Sequence, residues 1–228
     1  MTNRRNFIRT SALATAGVGL AASMPLASCI GANDKLVCGV IGAKGMGNAN
    51  LKAFLRQPNT ECAAIADVDE NVLNQRIADT EKIQGVKPKG FKDYRKLLEE
   101  PGIDIIIIGT PDHWHCLPMV EAAELGKDVY CEKPLGNTIE EVNIMERAAN
   151  KYNTVVQVGM WQRSDPHWRD AVEYVKSGEL GKIRSVRTWA YQGWMKPVPE
   201  KPDSNPPPGV DYDMWLGPAP KRPFNPNR

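Results

Sequence analysis

Histidine is scarce in this chain of 228 residues, which has only His113, His115 and His167. The five cysteines contain no Cys-x-x-Cys pair and no Cys/His spacing of the zinc-site kind. His113 and His115 lack a completing ligand set, so no metal site is expected. An excess of one charge is also missing. The 29 basic and 27 acidic residues leave a formal +2, which makes no case for a nucleic-acid partner. No apolar run reaches the roughly 20 residues of a membrane span. The best candidate, residues 12–26, is interrupted by Gly17 and Gly19. What remains is ordinary: 42% hydrophobic, 25% charged and 7% aromatic. That balance excludes collagen, disorder throughout and a polytopic membrane protein. The length suits one large domain, or one domain plus part of a second.

These averages conceal two unusual ends. The first 28 residues hold Arg4, Arg5 and Arg9 and no acid. Without them, 26 basic and 27 acidic residues give a formal charge of −1. A charged stretch followed by a short apolar run reads as a signal peptide over residues 1–28. Arg4-Arg5-Asn6-Phe7-Ile8 resembles the twin-arginine export motif. The alternative is a chance arginine pair before a general secretion signal. Leu26-Ala27-Ser28-Cys29 resembles a bacterial lipobox, which would make Cys29 a membrane lipid anchor. Ordinary signal cleavage nearby is the competing reading. The expected location is periplasmic or otherwise exported. At the other end, ten of the 18 prolines lie between Pro197 and Pro226. Proline removes backbone donors, so residues 197–228 read as loop.

Between the ends, strand and helix signals alternate. Leu36–Ile41, Cys62–Ala66, Ile103–Ile108, Asp128–Cys131 and Val155–Val158 are short apolar runs of the buried-strand kind. Helices are predicted over Met46–Arg56, from the Asp69 cap to Ile83, and over Asp93–Glu100. More follow over His115–Leu125, from the Thr138 cap to Tyr152, and over Pro166–Ser177. Gly85–Gly90 reads as a loop. Ile139, Val142, Met145, Ala149 and Tyr152 form one apolar stripe. Cys38, Cys62 and Cys131 fall in predicted strands, and with Cys116 they read as small buried hydrophobes. Continuously apolar strands alternating with helices predict a doubly wound parallel sheet over residues 35–160. Ile183–Tyr191 alternates like a strand. It is expected to open a partial α+β second domain over residues 161–228.

Such sheets bind ligands beyond the carboxyl ends of their strands. The first strand runs into Gly42-Ala43-Lys44-Gly45-Met46-Gly47. Gly42 and Gly47 match the first and third glycines of the dinucleotide fingerprint. Lys44 takes the second position, and Gly45 follows it. A turn here can bring backbone N–H groups against a pyrophosphate at a helix N-terminus, with Lys44 and Met46 beside it. Asp67 ends the next strand, 25 residues after Gly42. A carboxylate there binds the adenosine ribose 2′-hydroxyl and repels a 2′-phosphate, which favours NAD over NADP. Two further strand ends carry reactive groups. One reads Gly109-Thr110-Pro111-Asp112-His113-Trp114-His115 and the other Glu132-Lys133-Pro134. The second sets a cation near the ligand crevice of the sheet. Trp114 and Trp161 could line a sugar site or belong to the core.

Taken in order, Gly42 to Gly47, Asp67, Thr110-Pro111 to His115, Glu132-Lys133-Pro134 and Gly159-Met160-Trp161-Gln162-Arg163-Ser164 resemble the Gfo/Idh/MocA oxidoreductases. The likeness runs from about Leu36 onward and takes in Asp213-Met214-Trp215-Leu216-Gly217-Pro218. It implies a Rossmann domain binding NAD(P), followed by an α+β domain on an open sheet. It also implies hydride transfer between nicotinamide and a sugar or polyol carbon, and a homo-oligomer. Lys133 would take the family's catalytic lysine role, binding the substrate hydroxyl and aiding proton transfer. Glu132 would position it. Thr110, Pro111 and His115 would lie near the cofactor, and Trp161, Gln162 and Arg163 near the nicotinamide or substrate. The family's Asp-x-Gly-x-x-His-like motif has no counterpart after Arg163, and Asp165-Pro166-His167 has the wrong spacing. The chain is therefore expected to be part of a longer protein. An exported member would carry its cofactor tightly bound and recycle it in place. An NAD-dependent glycosidase and a non-catalytic nucleotide- or sugar-binding fragment are the alternatives.

Overall fold

The computed structural model describes residues 35–190, 193 and 196–228. The expected signal peptide and Cys29 lie outside the described residues. Lys35–Arg228 forms one compact unit.

The strands are β1 (Leu36–Ile41), β2 (Thr60–Ala66), β3 (Lys89–Phe91), β4 (Ile105–Ile108), β5 (Asp128–Cys131) and β6 (Val156–Val158). The helices are α1 (Gly45–Leu55), α2 (Glu70–Gln84), α3 (Tyr94–Leu98), α4 (Cys116–Glu124), α5 (Ile139–Tyr152), α6 (Pro166–Lys176) and α7 (Tyr212–Leu216). The sheet order is β3-β2-β1-β4-β5-β6, and every pairing is parallel. This is the doubly wound Rossmann order, with its switch point between β1 and β4. The expected fold class is therefore observed for the nucleotide-binding part.

The central strands β1, β2 and β4 are buried on both faces, as a covered parallel sheet requires. Successive side chains point to opposite faces. Ile106 and Ile108 join Leu97, Met119 and Met145 on one side. Ile107 joins Val40, Leu51 and Leu73 on the other. Burial of each large side chain is worth roughly 1.5–3 kcal/mol, which makes the β4 isoleucines a central source of stability. Cys38, Cys62, Cys116 and Cys131 are all buried free thiols, as expected.

Local signals set the helix starts. The Asp69 carboxylate accepts from the N–H groups of Asn71 and Val72 at the head of α2. Thr138 and Glu141 form a reciprocal capping box on α5. Four expectations need correction. The predicted Gly85–Gly90 loop gives way to β3 at Lys89, whose three residues pair with β2. Ile139 is 82% exposed, because its first-turn position turns it away from the core that Met145 and Ala148 enter. Ile183–Ala190 forms no strand, and no described residue pairs with it. The proline-rich tail is not all loop. Asp211 accepts from the Met214 N–H and starts the short helix α7. No described helix is long and apolar enough to cross a membrane.

Candidate functional site

A cleft of about 510 Å³ opens at the carboxyl edge of the sheet. That volume lies within the range of small-molecule sites. Of the residues singled out in the sequence, Gly42, Lys44, Gly45, Met46, Asp67, Thr110, Pro111, Glu132 and Lys133 line it together. They come from the ends of β1, β2, β4 and β5.

The turn after β1 has a tight inner side and an open outer side. Gly42 has φ +78°, and an added Cβ would stand 2.7 Å from the Thr110 nitrogen. Gly47 is buried under the turn rather than in the cleft wall, where an added Cβ would collide with the Gly42 carbonyl oxygen. Both positions therefore need glycine. The displaced second glycine also finds an explanation. Lys44 is exposed in extended conformation as the N-cap of α1, so its side chain meets no obstacle. The left-handed conformation falls one residue later, on Gly45, around which there is open space.

Helix α1 starts with no side-chain cap and no acidic residue in its first turn. By contrast, α2 and α5 have capped ends. The first N–H groups of a helix lack partners within it and attract anions. A glycine cradle, uncapped donors and Lys44 at one turn fit the pyrophosphate of a dinucleotide.

Asp67 does more than the sequence suggested. One carboxylate oxygen accepts from the Ala43 N–H at 2.8 Å and the other from the Asp69 N–H at 3.0 Å. It thus ties the glycine turn to the end of β2. Burial pushes its carboxyl above the usual aspartate range, and the two N–H donors only partly oppose that shift. The Thr110 hydroxyl, also in the cleft wall, is buried and unpartnered among the described residues.

At the β5 end, Glu132 is buried and Lys133 is exposed at the lip. Glu132 Oε1 accepts from Asn50 Nδ2 at 2.8 Å, and Oε2 accepts from the Lys133 N–H at 3.2 Å. Asn50, on α1, was not anticipated from sequence. No local motif marks it, and its partner lies 82 residues away. Gly159 packs on the Glu132 carboxylate, where an added Cβ would stand 2.8 Å from Oε1. Burial pushes the neighbouring Cys131 thiol up to about 12, with the Glu132 charge adding to it.

His115 is not in the cleft wall. It is 1% exposed, and both ring nitrogens face carbonyl oxygens, those of Pro134 and Thr110. It braces the cleft loops from behind instead of meeting a ligand. His113 Nε2 lies 2.9 Å from the Trp215 carbonyl oxygen. Trp114 lines the cleft and meets Tyr94 edge to face, with ring centres 5.6 Å apart. Trp161, Gln162 and Arg163 form an exposed 3₁₀ turn after β6, outside the residues lining the cleft.

Residues 36–160 match the family model described as an oxidoreductase family with an NAD-binding Rossmann fold. The uncharacterized oxidoreductase YrbE of Bacillus subtilis is 31% identical over 183 residues, covering 80% of this chain and 49% of the relative. The scyllo-inositol 2-dehydrogenase (NAD(+)) of the same organism is 32% identical, covering 64% and 41%. A glycosyl hydrolase family 109 protein of Shewanella pealeana is 32% identical, covering 61% and 35%. Among solved structures, a myo-inositol dehydrogenase from Lactobacillus casei in complex with NAD(H) and myo-inositol superposes with a TM-score of 0.59 at 26% identity. That match covers 64% of this chain and 43% of the other. The chain spans about half the length, or less, of the curated relatives it matches.

Proposed function

Because this chain belongs to the Gfo/Idh/MocA oxidoreductase family, we propose that the whole protein transfers a hydride between NAD and a hydroxyl-bearing carbon of a sugar or polyol. The carrying observation is that Lys133, Asp67 and the glycine turn line one cleft. The nucleotide-binding domain spans residues 35–160, and residues 161–228 open the second, substrate-binding domain.

The N–H groups of the turn and Lys44 hold the pyrophosphate. Asp67 receives the adenosine ribose hydroxyls, and its charge disfavours NADP. NAD, when bound, accepts or returns the hydride. Lys133 Nζ binds the hydroxyl at the reacting carbon and handles its proton. Glu132, anchored by Asn50, steadies the backbone that presents Lys133. Trp161, Gln162 and Arg163, on the exposed turn after β6 and outside the cleft wall, are assigned to the substrate end on the family likeness alone. The twin-arginine-like head and Cys29 support an exported, lipid-anchored protein that travels with nicotinamide already bound. Alternate oxidation and reduction of two substrates recycles the cofactor in place. The full-length protein is a homo-oligomer.

The test uses full-length protein, NAD and a panel of sugars and polyols, followed by nicotinamide absorbance. Turnover with a panel member is expected, and Lys133→Met should abolish it while NAD still binds. Unchanged turnover in Lys133→Met overturns the lysine's role, and failure to bind NAD overturns the reading. Likeness to the Shewanella pealeana relative favours a second reading, an NAD-dependent glycosidase. Transient oxidation of a sugar carbon would acidify its neighbour's C–H and let the aglycone leave by elimination. Water would add across the resulting double bond, and hydride return to the ketone would restore NAD in its oxidised form. Release of an aryl group from a glycoside with no net NADH marks that outcome.

A further inference from the structure

Segment 207–228 crosses the mouth of the cleft and is fastened on both sides. On the β2 side it runs antiparallel to Val68–Glu70. The Asp211 N–H donates to the Val68 carbonyl at 2.9 Å, and the Glu70 N–H donates to the Gly209 carbonyl at 3.0 Å. On the β4 side, Trp114 Nε1 donates to the carbonyls of Met214 and Trp215 at 2.9 and 3.1 Å. Gly217 lies flat on the Trp114 indole, which leaves no room for a side chain. Leu216 is buried beneath.

These fastenings account for Leu216 and Gly217 but not for the residues between and after them. Tyr212, Phe224 and Arg228 are outside the core and line the cleft. Tyr212 stacks on Trp215 at 5.7 Å and meets Phe224 edge-on at 5.3 Å. Arg228 donates to the Tyr212 hydroxyl at 2.9 Å, which holds the guanidinium beside the ring. Flat aromatic and guanidinium groups are what a purine base stacks against. Position agrees with chemistry. Asp67 marks the adenosine ribose, and the antiparallel run of the segment begins beside the very next residue, Val68.

We propose that segment 207–228 is a strap that builds the adenine subsite of the cleft, with Tyr212 and Arg228 bordering the base and Val210 closing its edge. The strap also sets how fast the nucleotide leaves. This rests on the nucleotide-binding reading above and adds the base-recognition element, which none of the glycine-turn residues can supply.

The experiment measures binding and exit of NAD, ADP-ribose and nicotinamide mononucleotide in the full chain. Tyr212→Ala should weaken ADP-ribose about tenfold or more and speed its exit in proportion. Nicotinamide mononucleotide affinity should not change. Arg228→Ala alters only an exposed side chain, so it tests the same point without threatening the fold. It should weaken ADP-ribose severalfold. If wild type binds neither NAD nor ADP-ribose, the nucleotide reading itself fails. If wild type binds and both variants keep its ADP-ribose affinity and exit rate, the strap subsite is wrong and the nucleotide reading stands. Equal weakening of ADP-ribose and nicotinamide mononucleotide also overturns the subsite, because the effect is then not confined to the adenosine end.

Discussion

The Nδ1 atom of His115 lies 2.7 Å from the carbonyl oxygen of Pro134. The same buried ring reaches the Thr110 carbonyl through Nε2 at 2.9 Å. One side chain therefore couples the loop after β4 to the loop that presents Lys133. A neutral imidazole has a single N–H for the two acceptors, and a doubly protonated ring serves both.

Replacing this ring with a hydrocarbon tests the coupling. His115→Leu removes the hydrogen bond that the ring makes to these partly buried carbonyls, at roughly 0.5–1.5 kcal/mol per bond lost. Urea unfolding should show a lowered midpoint with an unchanged slope. In the whole protein, kcat and NAD affinity should both fall, since the brace serves the Lys133 loop and the Thr110 loop that backs Gly42.

Asp67 gives a pH signature. Its carboxyl is raised by burial, so folding shifts its balance toward the neutral form relative to the unfolded chain. Its contribution to stability is full below the ordinary aspartate pKa of about 3.9 and is lost as pH rises through the raised folded value. The ionised form that receives ribose hydroxyls is thus held at a cost. NAD affinity should begin to fall on acidification at a pH above 3.9. Titrations of NAD across pH check this. Asp67→Ser should flatten the profile, weaken NAD and narrow the preference over NADP.

Gly47 sets the closest approach in the turn. Gly47→Ala drives a methyl group against the Gly42 carbonyl. Overpacking of this kind costs about 1–3 kcal/mol, and here the displaced atoms belong to the phosphate turn. Calorimetry should show a lower melting temperature together with NAD binding weakened beyond what the stability loss explains.

The thiols should be silent in the native state. Cys38, Cys62, Cys116 and Cys131 are buried, and burial holds the Cys131 thiol at about 12. Thiolate is the reactive form. Peptide mapping after iodoacetamide at pH 8 should find these four unlabelled in the folded chain and labelled in urea.

Much of the nucleotide-binding half was legible because its signals are local. The Ile105–Ile108 run, the Asp69 cap and the Thr138 cap each depend on residues close in sequence. Gly42 and Asp67 were readable because the fold assigns fixed jobs to strand ends. β3 escaped notice because Lys89–Phe91 is three residues long and includes a glycine. Neither the Asn50–Glu132 pairing nor the His115 brace could be read from sequence, since each depends on partners brought together by the sheet. The same holds for the tail. Its prolines indicate an absence of regular pairing but not that Trp114 will bind backbone 100 residues away.

The strap also has a place in time. β6 ends at Val158, and the Trp215 anchor comes 57 residues later. At roughly 5–20 residues per second of synthesis, that gap lasts ~3–11 s. No strand of the six-stranded sheet comes from the strap. A nascent chain can therefore form its glycine turn while the cover for it is still being made. On the strap proposal, nucleotide taken up during that interval would be enclosed when translation reaches residues 207–228, and loading would not require a finished protein to open.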